Sequence, residues 1–247
     1  MAISLQSLQA PKKRPLICTF VSEGGLGKTT LASTFPNPVF IRTEDGTKSI
    51  EHRDDVALFP IANKFQEVLE AIAALITEDH KFKTVVLDSI TQLNTMIESE
   101  IVRADGKARS INQAAGGYGA GYSAAAMMHQ EIREAMEVLR EKKGMHVVFL
   151  AHADSEMVDL PDQESFTRYT IRMHKKSVSH YSDNVDLVGF IKLKTYTMGN
   201  TDKKKALSDG TRIITCYPTP SHISKNRFGI DGDITWSFGE NPFDVYL

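Results

Sequence analysis

The sequence contains one short stretch built to hold a polyphosphate: Ser22-Glu23-Gly24-Gly25-Leu26-Gly27-Lys28-Thr29-Thr30. Glycines in such a run let successive backbone N–H groups turn inward around an anion, and a helix starting directly behind them adds its positive end. In this arrangement Lys28 reaches the β and γ phosphates of a nucleoside triphosphate, and the Thr29 hydroxyl is a ligand for Mg²⁺. The cradle runs through Glu23, Gly24, Gly25, Leu26, Gly27, Lys28, Thr29 and Thr30, which are the expected nucleotide-binding residues. The first position of the pattern is usually glycine and is Ser22 here, so that corner must adopt a backbone angle open to serine. A glycine-rich turn that binds nothing is the alternative. The apolar strand ahead of the run and the helical Leu31-Ala32-Ser33-Thr34 behind it supply the context a phosphate-binding loop requires.

Three other apolar runs end in residues with chemistry. Thr84-Val85-Val86-Leu87-Asp88 delivers a carboxylate where Mg²⁺ needs one, so Thr29 and Asp88 are the expected metal ligands. An aspartate at a strand end also suits a helix N-cap, a reading the phosphate loop makes the lesser one. Ser89 follows Asp88 where many ATPases place a glutamate that activates water, so the base must come from elsewhere. Pro38 to Thr43 leads into Glu44, at the end of the next strand after the loop and its helix, hence on the same edge of a parallel sheet. His146 to Ala151 leads into His152, which can sense a γ phosphate or can be a loop histidine with no ligand.

The elements that must position these residues are legible as alternating types. Apolar runs at 15–21, 38–43, 56–61, 84–87 and 146–151 are short and well separated, as buried parallel strands are. Between them, 65–76, 93–102 and 124–139 have helical spacing, which predicts an α/β fold with a mostly parallel sheet covered on both faces. After Ala153 a polar loop is expected. Strand-like 187–196, a Gly/Asn/Asp/Lys-rich turn and 211–218 then predict a C-terminal antiparallel hairpin extending the sheet. The expected organisation is an arm at 1–14 ending in Lys12, Lys13 and Arg14, one domain at 15–240, and a tail at 241–247. Ile3 and Leu5 of the arm are expected to add a strand to a neighbouring copy.

Composition excludes several classes. A hydrophobic share of 41% and a charged share of 24% fit neither a disordered chain nor a disulfide scaffold. No apolar run approaches the roughly 20 residues that cross a bilayer, so no membrane partner is expected. Cys18 and Cys216, the two cysteines, sit in strand-like stretches as buried thiols do, which fits a reducing cytoplasm. A net charge of -2 leaves nucleic acid open, because a local basic surface can act despite a balanced total.

Together, the phosphate loop, Glu44, Asp88-Ser89 and His152 resemble the RecA family, with His152 standing where bacterial RecA has glutamine. Ser224-Lys225-Asn226-Arg227-Phe228-Gly229 resembles that family's late basic element, whose cations reach the ATP of a neighbouring subunit. The compact size, the short step from Thr30 to Glu44 and this ending look like the small RecA-like ATPases of bacteriophages, some of which anneal single strands. The resemblance implies a RecA-like P-loop NTPase core that hydrolyses ATP with Mg²⁺ at subunit interfaces. Its catalytic set would be Lys28, Glu44, Asp88 and His152, completed by Lys225 and Arg227 of the adjacent copy. Implied partners are single-stranded DNA, further copies of the chain in a ring or filament, and a single-strand-binding protein. The implied location is the cytoplasm, the host's for a phage protein.

Such a protein needs loops that contact DNA. The stretch 104–122 combines glycines with Lys107, Arg109, Tyr118 and Tyr122, the ingredients for tracking a backbone and stacking bases, although a surface loop without ligand has the same composition. The expected loop 154–168 is acidic, leaving only its end at Arg168 and Tyr169 as a DNA contact. Lysine runs at 175–176, 192–194 and 203–205 read as solvated faces or a hairpin tip. A GTP switch is disfavoured because no Asn-Lys-x-Asp element follows, and a small-molecule kinase because the acidic stretch is wrong for an arginine-rich lid. A loader or motor accessory acting on a protein partner stays open.

Overall fold

The computed structural model describes residues 4–8, 10–198 and 205–247. The first strand, β1 (Ile17–Ser22), is buried at every position, and so is β4 (Thr84–Asp88). Strands that send apolar side chains to both faces must be covered twice, and two core clusters do this. Ile17, Val21, Val85 and Leu87 lie in one; Cys18, Phe20 and Val86 lie in the other. The remaining parallel strands are β2 (Pro38–Arg42), β3 (Ala57–Ile61), the first part of β5 (His146–Val158) and β7 (Leu187–Met198). Helices α2 (Phe65–Thr77), α3 (Ile90–Asp105) and α4 (Ala120–Lys143) contribute to the first cluster. The short α1 (Lys28–Ala32), Ile50 and the C-terminal Trp236 and Phe243 belong to the second. The segment 241–247 thus packs against the domain: the Phe243 ring lies 5.3 Å from that of Phe20.

Strand order along the sheet is β10-β8-β7-β1-β5-β4-β2-β3, where β8 is Lys205–Thr215 and β10 is Ile234–Trp236. The expected C-terminal hairpin is present as β7 antiparallel to β8, with β10 antiparallel beyond it. The chain leaves β1 through α1 and skips two strand positions to reach β2, the kind of switch point beside which α/β sheets bind ligands.

Several local expectations are corrected. Residues 154–168 are not a loop: β5 continues to Val158 and pairs antiparallel with β6 (Phe166–Ile171). This hairpin grows off the sheet into solvent, with Glu156 opposite Arg168, so it lacks the apolar pattern that marks the buried strands. Helix α5 (Lys175–Ser182) forms in the same stretch, burying Tyr181. The last hairpin strand starts at Lys205 and ends at Thr215, shifted from the expected 211–218; its residues 207–210 are exposed and give no buried apolar signal. Leu5 sits in a 3-10 turn (Leu5–Ser7) and not in an extended strand. Ile3, and the expected turn at 199–204 with Lys203 and Lys204, fall outside the described residues. Cys18 and Cys216 are free and buried, and burial raises both thiols, Cys216 to about 12.

Helices α3 and α4 pack as an antiparallel hairpin. Asn94, one turn into α3, bonds His129 Nε2 at 3.0 Å, while Asp105 at the far end accepts from Ala115 N at 2.9 Å. The fully buried residues of α3 fall between Ile90 and Ile97; farther along, Ile101 still packs against the core and Ala114 of the 106–119 connection is buried, while Lys107, Arg109 and Tyr118 are exposed.

Candidate nucleotide site

Ser22 is the last residue of β1 and takes an extended strand conformation, so no glycine is needed there. The loop bends at Gly25 and Gly27, whose φ values of 78° and 95° belong to glycine. Gly27 also needs its missing side chain, because a Cβ there would stand 2.5 Å from Phe238 Cε1. Lys28 Nζ crosses the loop and donates to Ser22 Oγ at 3.0 Å and to the carbonyls of Glu23 at 3.1 Å and Ser22 at 3.3 Å. Burial lowers its pKa to about 8 against the pull of Asp88 and Glu44.

Thr29 Oγ1 donates to Asp88 Oδ2 at 2.8 Å, joining the start of α1 to the end of β4. Burial raises the Asp88 carboxyl, and the Thr29 bond lowers it in part. Gly46 faces the pair without a side chain, its Cβ position 3.8 Å from Asp88 Oδ2 and 3.9 Å from Thr29 Oγ1. A hydroxyl and a carboxylate beside open space fit Mg²⁺, which takes one or two protein oxygens along with substrate phosphates and water. Among the described residues, no group of three His, Cys, Asp or Glu side chains could hold a metal without those phosphates. The helix cap after Asp88 is Ser89, whose side chain accepts from Gln92 N, which leaves Asp88 free to face the loop.

Parallel pairing sets Arg42 beside Asp88 and Ser22 beside His152, so the strand ends carrying the expected residues share one edge. Thr43 fastens β2 to β4: its hydroxyl donates to Ser89 O and accepts from Ser89 N, both at 2.8 Å. Glu44, the next residue, places Oε1 3.1 Å from His152 Nε2. That bond is the largest influence on Glu44 and lowers its pKa. His152 N donates to Thr91 Oγ1 at 2.9 Å, which ties the histidine to the first turn of α3. One pocket of about 800 Å³ is lined by Lys28, Thr29, Glu44, Asp88 and His152. Its size suits a nucleotide. Thr43 and Thr91, which hold the two key side chains, carry no motif of their own. Arg212 and Phe238, also in the lining, lie beyond the reach of sequence spacing.

The other expected site residues lie elsewhere. Lys107 and Arg109 are exposed at the α3–α4 connection, and Tyr118 is fully exposed with φ 50°. Tyr122 is stacked on His174 at 4.0 Å, and Arg168 is bonded to Glu156 at 2.7 Å. Lys225 lies in β9 (Lys225–Asn226) and Arg227 just after it; β9 pairs with the beginning of β7, away from the phosphate loop at the end of β1. Lys225 bonds Asp183 O, and Arg227 Nη1 lies 3.2 Å from Asp186 Oδ1.

A parallel α/β sheet with a lysine-bearing phosphate loop at one strand end and a carboxylate at another defines the P-loop NTPases. A family model described as an AAA domain matches residues 14–228, and the chain belongs to that family. A comparison with curated proteins finds no match. No helix among the described residues is long and apolar enough to cross a membrane.

Proposed function

We propose that the protein binds and hydrolyses ATP with Mg²⁺ at this pocket, between copies of the chain, and binds single-stranded DNA for annealing or recombination, in the manner of the small RecA-like phage ATPases. The observation that carries the catalytic part is the Glu44–His152 contact at the edge of the pocket that holds Lys28, Thr29 and Asp88. Lys28 offsets phosphate charge, and Thr29 and Asp88 would hold Mg²⁺, which would neutralise charge on the phosphate oxygens. Glu44 orients a water and takes its proton as the water oxygen bonds to the γ phosphorus. The bond from that phosphorus to the β–γ bridging oxygen breaks, and ADP and phosphate leave. His152 holds Glu44 ionised and in place. Lys225 and Arg227 of a neighbouring copy supply the cations that meet the charge developing on the leaving oxygen.

Support for DNA contact that follows nucleotide state comes from how the exposed elements are rooted. Helix α3 starts next to Asp88 and is tied to His152 through Thr91, and the connection at its far end carries the exposed Lys107, Arg109 and Tyr118, with Tyr122 just beyond at the start of α4. The β5–β6 hairpin bearing Arg168 grows directly from His152. Met157 and Leu160, exposed among the acidic residues of that hairpin, favour a protein partner at this second element.

Fluorescence anisotropy with labelled single-stranded and duplex DNA tests the DNA reading. We expect Mg-ATP-dependent, sequence-indifferent binding to single strands that weakens with salt, and a loss of about tenfold in Tyr118→Ala. A nucleotide-binding protein that ignores DNA under all these conditions would leave the protein-partner reading in its place.

A further inference from the structure

We propose that Phe238 is the platform on which the base of the bound nucleotide stacks, and that Arg212 donates to an acceptor on the same nucleoside. This deepens the reading of the pocket as a nucleotide site and rests on it. Beyond the groups directed at phosphate and metal, one side of the pocket is lined by Ser49, Ile50, His52 and Arg53 and another by Arg212, Phe238 and Gly239. Arg212 lies on β8, and Phe238 and Gly239 lie in the turn just after β10, where Trp236 pairs opposite Arg212.

The side chains there are held as a wall. Trp236 is buried in the core and donates Nε1 to Glu240 O at 3.0 Å, which fixes the turn that carries Phe238. Phe238 meets Trp236 edge-on at 5.2 Å, yet the residue remains 53% exposed. Gly27 lets the Phe238 ring lie against the phosphate loop, next to where the triphosphate is cradled. The Arg212 guanidinium lies 4.2 Å over the Phe238 ring. Its Nε is buried and has no hydrogen-bond partner among the described residues. The guanidinium covers one face of the ring; a base stacked on the part left exposed shields it from water, and Arg212, which lines the pocket, donates to the same nucleoside through its Nη groups. Stacking on an aromatic ring accepts any base and strengthens with its size, so the ligand class is a nucleoside di- or triphosphate with a purine favoured. Phe238 lies outside residues 14–228, the span matched by the family model.

Inorganic tripolyphosphate, which has no base or sugar, separates this wall from the phosphate loop. Affinities for Mg-ADP and for tripolyphosphate would be measured by calorimetry on the full chain. In Phe238→Ala we expect Mg-ADP to bind about tenfold more weakly while tripolyphosphate stays within about twofold, and Phe238→Trp to keep Mg-ADP affinity. Arg212→Lys, which removes the planar guanidinium and its Nη donors but keeps the charge, should show the same pattern as Phe238→Ala. Unchanged Mg-ADP affinity in Phe238→Ala, or equal loss of both ligands, would overturn the proposal. Wild-type protein that binds neither ligand would overturn the nucleotide reading and this inference together, whereas loss of both ligands in Lys28→Ala upholds that reading independently of Phe238.

Discussion

Glu44 Oε1 lies 3.1 Å from His152 Nε2, a contact between residues 108 positions apart that exists because the end of β2 and the end of the parallel part of β5 lie on the same edge of one sheet. Neither residue is deeply buried: the side chains are 34% and 25% exposed, so a water can reach the carboxylate. The contact gives Glu44 a fixed direction and keeps it ionised, so that the carboxylate is free to accept a proton from water.

The first prediction concerns pH. The bond to His152 lowers Glu44 against the opposing effect of burial, so the carboxylate stays ionised to lower pH than an ordinary glutamate. The sign for stability agrees: the small contribution from this partly exposed group is present above the ordinary glutamate pKa and is lost as pH falls through the folded value. Removing His152 raises Glu44, so the acidic limb of the turnover profile should move to higher pH in His152→Ala. Turnover should also fall by about 100-fold through lost positioning. Steady-state rates across pH give both numbers, and an unmoved acidic limb would separate His152 from Glu44.

Lys28 carries the second prediction. Burial lowers its pKa to about 8, so the ligand-free protein loses this positive charge as pH rises through that value. Nucleotide phosphate favours the ammonium, hence binding should take up a proton at alkaline pH and affinity should decline above about pH 8. The stability effect has the opposite slope. The buried ammonium is unfavourable below about 8, and that penalty is relieved as pH rises from there toward the ordinary lysine value of 10.5. Calorimetry in buffers with different ionisation heats measures the proton uptake; the same Mg-ADP affinity and no uptake from about pH 7 to about pH 9 would contradict it.

Much of this site is legible in the residues alone, for a physical reason. Lys28, Glu44, Asp88 and His152 each stand at or just beyond a buried strand, and parallel strands deliver their ends to one edge whatever their order. The elements that sequence reading missed lack that two-sided apolar signal. The β5–β6 hairpin is stabilised by cross-strand pairs in solvent, Glu156 with Arg168 among them, and its alternation is mostly polar. Thr43 and Thr91 act through single hydroxyls with no spacing rule. Arg212 and Phe238 come together only when β10 pairs with β8, and the irregular chain between those strands gives no register to read.

The third prediction tests action across an interface. Within one chain Arg227 is engaged by Asp186 on its exposed side, and Lys225 by Asp183 O, so neither lines the pocket of its own copy. Asp186 keeps Ile17 N at 2.9 Å and Arg140 Nη2 at 3.1 Å without Arg227, so Arg227→Ala should fold and bind nucleotide normally. Its turnover should fall by about 1,000-fold if the arginine acts in the transition state of a neighbour. Mixing it with Glu44→Gln creates interfaces in which an intact Glu44 site faces an intact Arg227. Recovered hydrolysis on mixing is the expected result, and two variants that co-assemble yet stay inactive would rule out the contribution in trans.

The most direct test of the central claim is Glu44→Gln itself, measured for Mg-ATP affinity and for single-turnover hydrolysis in the same preparation. Glutamine keeps the shape and can still accept from His152, but it cannot take a proton from water. The account predicts affinity close to wild type and a hydrolysis rate lower by at least about 100-fold. Hydrolysis at the wild-type rate would contradict it, showing that the carboxylate held by His152 is not the base.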